Sequence, residues 1–72
     1  MDRIYVRINP KDIVFVDRIF EASEGLGIVS TCNGQTGDIV VYCTPDTREA
    51  AMEMLKNLPI PVEFTEGQVE GI

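Results

Sequence analysis

Twice along its 72 residues the chain's hydrophobic period switches from two to 3.6 across an X-Pro pair, and that double switch limits the folds open to it. Arg3-Ile4-Tyr5-Val6-Arg7-Ile8 alternates strictly, the mark of a half-buried strand. Ile4, Val6 and Ile8 point to the core, and Arg3, Tyr5 and Arg7 to the other face. Asn9-Pro10 ends the strand, because Asn caps a helix well and Pro suits its first position. Asp12 follows in the first turn, where a carboxylate complements the helix dipole. From Pro10 to about Glu24 the spacing is helical: Ile13, Val16 and Phe20 form a stripe, widened by Phe15, Ile19 and Ala22. Lys11, Asp17, Arg18, Glu21 and Glu24 take the remaining surface. Gly25-Leu26-Gly27 closes the helix in Schellman style, with Gly25 left-handed.

Ile28–Cys32 and Asp38–Thr44 read as strands rich in Val, Ile, Thr and Tyr, joined by the hairpin signal Asn33-Gly34-Gln35-Thr36-Gly37. Thr44-Pro45-Asp46 repeats the cap-plus-proline logic, with a capping box between Asp46 and Glu49 as the alternative. Ala51, Met54, Leu55 and Leu58 then form a second helical stripe, leaving Arg48, Glu49, Glu53 and Lys56 to water. Pro59 and Pro61 stop that helix. Val62–Glu66 alternates as a last short strand. Residues 67–72 are expected to be a loose tail, from which Val69 and Ile72 are apolar enough to dock. The order β-α-β-β-α-β maps onto the ferredoxin-like split βαβ motif. Right-handed crossovers place both helices on one face of a four-stranded antiparallel sheet of order 4-1-3-2, an α+β fold. Residues 1–72 make a single domain.

The chemistry this chain can carry is narrow. It has no His, which removes most zinc, haem and general-base chemistry. Two cysteines without His cannot close a tetrahedral metal site in one chain, and no Cys-x-x-Cys is present. With Cys32 opposite Asp38, Cys43 lies about five residues further along, roughly 17 Å at about 3.4 Å per residue. Bridged Cα atoms are only about 4.4–6.8 Å apart, so no hairpin disulfide is expected. Hairpin register decides whether Cys32 faces the core or the bare face, where it is open to oxidation or an intermolecular link. No nucleophile elbow or glycine-rich phosphate loop occurs, so the chain is expected to be non-enzymatic, without cofactor or metal. Six basic against twelve acidic residues give a net charge of −6, which argues against a phosphate-backbone binder. The longest apolar run, Ile13–Val16, is far short of a membrane span, and a cytoplasmic protein is expected.

One helix layer leaves the opposite sheet face bare, and that face is the informative surface. Parity puts Arg3, Tyr5 and Arg7 there, with Val40, Tyr42 and Thr44 from the third strand and Glu63 and Thr65 from the fourth. Ile39, Val41 and Cys43 take the core side. One reading is a solvated face on which Arg3 or Arg7 pairs with Glu63. Another is a contact surface for a second copy or a protein partner, with Tyr and Arg as anchors and Val40 as filler. The third is weak RNA binding through Tyr5 and Tyr42, the strands on which RNA-recognition motifs stack bases. The acidic balance and the absence of a basic, glycine and aromatic run in the third strand speak against that one. Nucleic acid and membrane are not expected partners.

With this element order, the chain resembles the ACT-like branch of the ferredoxin-like superfold over residues 3–66. It is also similar to a small, uncharacterised bacterial domain family. The match lies in Asn9-Pro10-Lys11-Asp12 after the alternating strand, and in Glu24-Gly25-Leu26-Gly27-Ile28-Val29. The ACT resemblance implies a regulatory homodimer with a shared or doubled sheet. It also implies an amino-acid or small-anion effector near the first loop, here Asn9, Lys11 and Asp12. ACT loops carry Asp followed by Pro-Gly, whereas this loop has Pro and no Gly. A metallochaperone would need Cys-x-x-Cys, and an acylphosphatase a glycine-rich anion loop with an arginine after the first strand; neither is present. The sequence thus points to a binding module that associates through its bare sheet face or a sheet edge, the effector sensor being the alternative.

Overall fold

A computed structural model describes residues 1–23 and 25–65 of the chain. The elements are β1 (Asp2–Arg7), a 3-10 turn (Pro10–Asp12), α1 (Ile13–Ala22), β2 (Ile28–Asn33), β3 (Asp38–Cys43), α2 (Pro45–Lys56) and β4 (Glu63–Phe64). The sheet is antiparallel with order β2-β3-β1-β4, the expected 4-1-3-2 read from the other edge. Ile4, Val6, Ile8, Ile39, Val41 and Cys43 face the helices and meet Val16, Phe20, Ala51 and Leu55 in one core. The expectations for Glu24, Glu66, the tail 67–72 and docking of Val69 and Ile72 lie outside the described residues.

Local chemistry corrects several boundaries. Asn9 does cap, its side chain accepting from the Lys11 amide at 3.1 Å, but the first turn it starts is 3-10 rather than α. Asp12 stands at the α1 N-terminus without a side-chain capping bond. The helix ends at Ala22, with Ser23 as its C-cap. Beyond it the Leu26 amide donates to the Ser23 carbonyl at 3.2 Å, and Gly25 has φ +80°. Phe15 and Ala22 are exposed instead of widening the buried stripe, Phe15 at 38%. They sit roughly 100–160° around the helix from Val16 and Phe20, and one sheet cannot cover so wide an arc. Asp17 is half-buried, and so is Arg48, which was expected in water.

The second cap is Thr44, and its box closes with Thr47, overturning the Asp46–Glu49 alternative. The Thr47 amide donates to Thr44 Oγ1 at 3.3 Å, and the Thr44 amide to Thr47 Oγ1 at 3.1 Å. Thr44 therefore belongs to the helix start and not to the bare face. Thr44→Ala should cost about 1 kcal/mol in a urea titration. Glu49→Ala, which removes no cap, should stay within about 0.5 kcal/mol.

The hairpin places Asn33, not Cys32, opposite Asp38, through an irregularity between Thr31 and Asn33. Such a bulge inserts an extra residue and bends the strand, leaving the Cys32 thiol exposed. Cys43 is buried, and burial pushes its thiol up from the ordinary range. The tip is held by Asn33, whose Oδ1 accepts from the Gln35 amide at 2.9 Å. Gly37, at φ +83°, packs against the end of β1, where the Ile8 amide donates to its carbonyl at 2.9 Å. β4 is shorter than expected, two residues paired with Val6 and Arg7, extended by a 2.8 Å bond from the Thr65 amide to the Tyr5 carbonyl.

Candidate interaction surface

Register assembles the bare face. Across β1 and β3 the pairs are Arg3 with Tyr42, Tyr5 with Val40 and Arg7 with Asp38. On β2, Ile28 stands beside Tyr42 and Ser30 beside Val40; on β4, Glu63 stands beside Arg7. Of the residues expected on this face, Arg3, Tyr5, Arg7, Val40, Tyr42 and Glu63 are there together and Thr44 is not, and Val40 and Arg7 behave differently from expectation.

Val40, at the centre, is 2% exposed although it lies opposite the helices and outside their core. It has Tyr5 directly across on one side and Ser30 on the other, and cross-strand neighbours stand close enough to cover it. Val40 is thus a small second core, and the area open to contact belongs to its neighbours. Tyr5 and Tyr42 are half-buried, and the Arg3 guanidinium lies over the Tyr42 ring at 5.6 Å from its centroid. That cation–π contact orders both side chains before any partner arrives. The Arg3 carbonyl is held from behind by Arg48 Nη1 at 3.3 Å, and Arg48 lies 3.7 Å from Asp2.

Arg7 pairs with Asp38, not Glu63. Its Nε donates to Oδ1 at 2.7 Å and its Nη2 to Oδ2 at 3.1 Å, a bidentate fork. Asp38 Oδ2 also accepts from Thr36 Oγ1 at the hairpin tip. Asp38 is 4% exposed, so its desolvated carboxylate gains most from the charge-assisted bonds. The Arg7 fork, then Thr36, hold that carboxyl below the usual range against the opposing effect of burial. Hydrogen bonding to Asp38 and its charge raise Arg7 further, with a smaller pull from Glu63. The charges on this face balance: Arg3 and Arg7 against Asp38 and Glu63.

The first loop is only partly drawn to this site. Asn9 joins Arg7, Pro10, Thr36, Val62 and Glu63 around a shallow depression of about 440 Å³, but Lys11 and Asp12 do not line it. Sequence reasoning missed Asp38, Thr36 and Ile28. Asp38 shares the parity of Val40 and Tyr42, and a carboxylate heading an apolar strand was the available cue. Among the described residues no group of three or more His, Cys, Asp and Glu is placed to hold a metal ion. No helix among them is long and apolar enough to cross a membrane.

Residues 6–62, most of the chain, match a family described as Domain of unknown function (DUF4911). No curated protein matched the chain. No solved structure matched it either.

Proposed function

We propose that this chain, which belongs to the DUF4911 family, is a non-catalytic interaction module that pairs with a second copy of itself through the bare sheet face. The observation that carries this reading is a pre-ordered aromatic surface with balanced charge on a chain of net −6. Two such chains repel over most of their surface, whereas this face meets its own copy without a net like-charge cost. A two-fold contact is self-complementary, so Arg3 of one copy can find Glu63 of the other. Tyr and Arg are the residues that most often carry such contacts, and Tyr42, Tyr5 and Arg3 are the anchors here.

Sedimentation of the reduced protein tests the assignment. Tyr42→Ala and Arg3→Ala should each raise the dimer dissociation constant by about tenfold or more, as loss of an anchor does. Circular dichroism should show both variants folded. An unchanged dissociation constant in both would move the contact off this face.

A further inference from the structure

The β2 edge carries the furthest inference, and it rests on the reading of this domain as an interaction module. Among the described residues β2 pairs with β3 alone. The Thr65 amide bonds the Tyr5 carbonyl, so odd-numbered β1 residues turn their backbone groups to β4 and even-numbered ones to β3. Val40 and Tyr42 then bond back to Ser30 and Ile28, leaving Val29 and Thr31 with outward N–H and C=O groups. No backbone partner for either outward set exists among the described residues. Residues 25–37 contain no charged side chain and no proline, so the edge lacks two usual defences against strand addition. Its one blunting device is the bulge beyond Thr31.

Beside that edge, between α1 and β2, runs a groove of about 350 Å³. Val29 gives it an apolar wall over the buried Phe20, and Asp17 and Glu21 an acidic rim. Neither carboxylate has an ion pair among the described residues. Desolvation, then the Glu21 charge, raise Asp17 above the ordinary carboxylate value, so a cation beside it would be welcome. Ile28 is 69% exposed at the rim of the bare face.

We infer that the β2 edge binds an extended basic polypeptide segment by strand addition. Backbone pairing falls on Val29 and Thr31. Alternate Lys or Arg side chains lay their stems along Val29 and set their charges against Asp17 and Glu21, while the intervening apolar side chains lie beside Ile28. A second copy is the poorer occupant of this edge, because two-fold pairing would bring both Asp17–Glu21 pairs together.

Fluorescence anisotropy with a labelled peptide of alternating lysine and valine tests this. Saturable binding is expected, about tenfold or more weaker in a D17N/E21Q double variant and lost in Thr31→Pro, which deletes an outward amide while leaving the β3 ladder intact. Ser30→Lys, placing a cation on the edge strand, is a second variant expected to weaken binding if Thr31→Pro fails to fold. Equal binding of a peptide with the same charge but prolines in alternate positions would overturn strand addition. So would no binding of the alternating peptide, or a wild-type dimer whose mass falls to monomer in Thr31→Pro. Loss of self-association in Tyr42→Ala with peptide binding retained would leave this inference standing, so the two readings fail separately.

Discussion

Replacing Gly37 with alanine should cost this domain about 3 kcal/mol or more, a large part of the 5–15 kcal/mol that stabilises a typical domain. Two effects add there. Gly37 has φ +83°, a conformation worth about 1–2 kcal/mol against an L side chain. A Cβ would also lie 1.6 Å from the Ile8 carbonyl oxygen, so the hairpin tip and the end of β1 must part, an overpacking cost of about 1–3 kcal/mol. The other glycines separate the effects. Gly25 has φ +80° with nothing within 4 Å, so alanine should cost about 1 kcal/mol from conformation alone. Gly34 has neither problem, its nearest neighbour being a Thr31 methyl at 3.9 Å, and alanine should stay within about 0.5 kcal/mol. Urea midpoints at constant slope give the ranking. Equal midpoints for the Gly25 and Gly37 variants would mean that the contact with Ile8 is not tight. The contact also serves the surface, because the pinned tip brings Thr36 and Asp38 to Arg7.

The second large effect lies in that pair. Asp38→Ala should cost about 2 kcal/mol, within the range of roughly 1.5–3 kcal/mol for hydrogen bonds to charged groups. Arg7→Met should be harsher, since it strands a buried carboxylate on Thr36 alone. The pH dependence follows from the direction of the Asp38 shift. Its folded pKa lies below the unfolded carboxylate value of about 3.9, so between the two the unfolded chain holds more protons and stability rises with pH. The stabilisation is full above about pH 4 and is lost as pH falls through the folded pKa. Asp17 acts oppositely: raised by desolvation first and Glu21 second, it favours the fold when protonated and loses that contribution as pH rises through its folded pKa. Asp38→Asn should therefore flatten the acid limb of a stability-against-pH curve, and Asp17→Asn should stabilise at neutral pH. An acid limb unchanged by Asp38→Asn would contradict the role given to the fork.

Why some of this was legible and some was not comes down to which interactions are local. Ile4-Val6-Ile8 and Ile39-Val41-Cys43 announce their buried side by alternation, and Asn9-Pro10 and Thr44-Pro45 announce helix starts by chain chemistry. From those follow the strand order and the composition of the bare face. The partner of Arg7 depended instead on the long-range β1–β3 register, which sets Asp38 opposite it, while one bulged residue between Thr31 and Asn33 set which residue of β2 faces Asp38. Val40 looked like an exposed filler because its burial comes from Tyr5 and the strands beside it, which parity alone does not weigh. Thr47 closed the capping box in place of Glu49 because the Thr44 and Thr47 side chains reach each other's backbone amides directly. The edge position of β2 followed from that order, but the acidic groove beside it was hidden, since it exists only once α1 packs against the sheet.

The central claim is that the bare face joins two copies of the chain, and the most direct measurement is molar mass by light scattering behind size exclusion, under reducing conditions. At high micromolar concentration the mass should be twice the 8.0 kDa of one chain, falling toward that value on dilution. A constant 8.0 kDa throughout would contradict it.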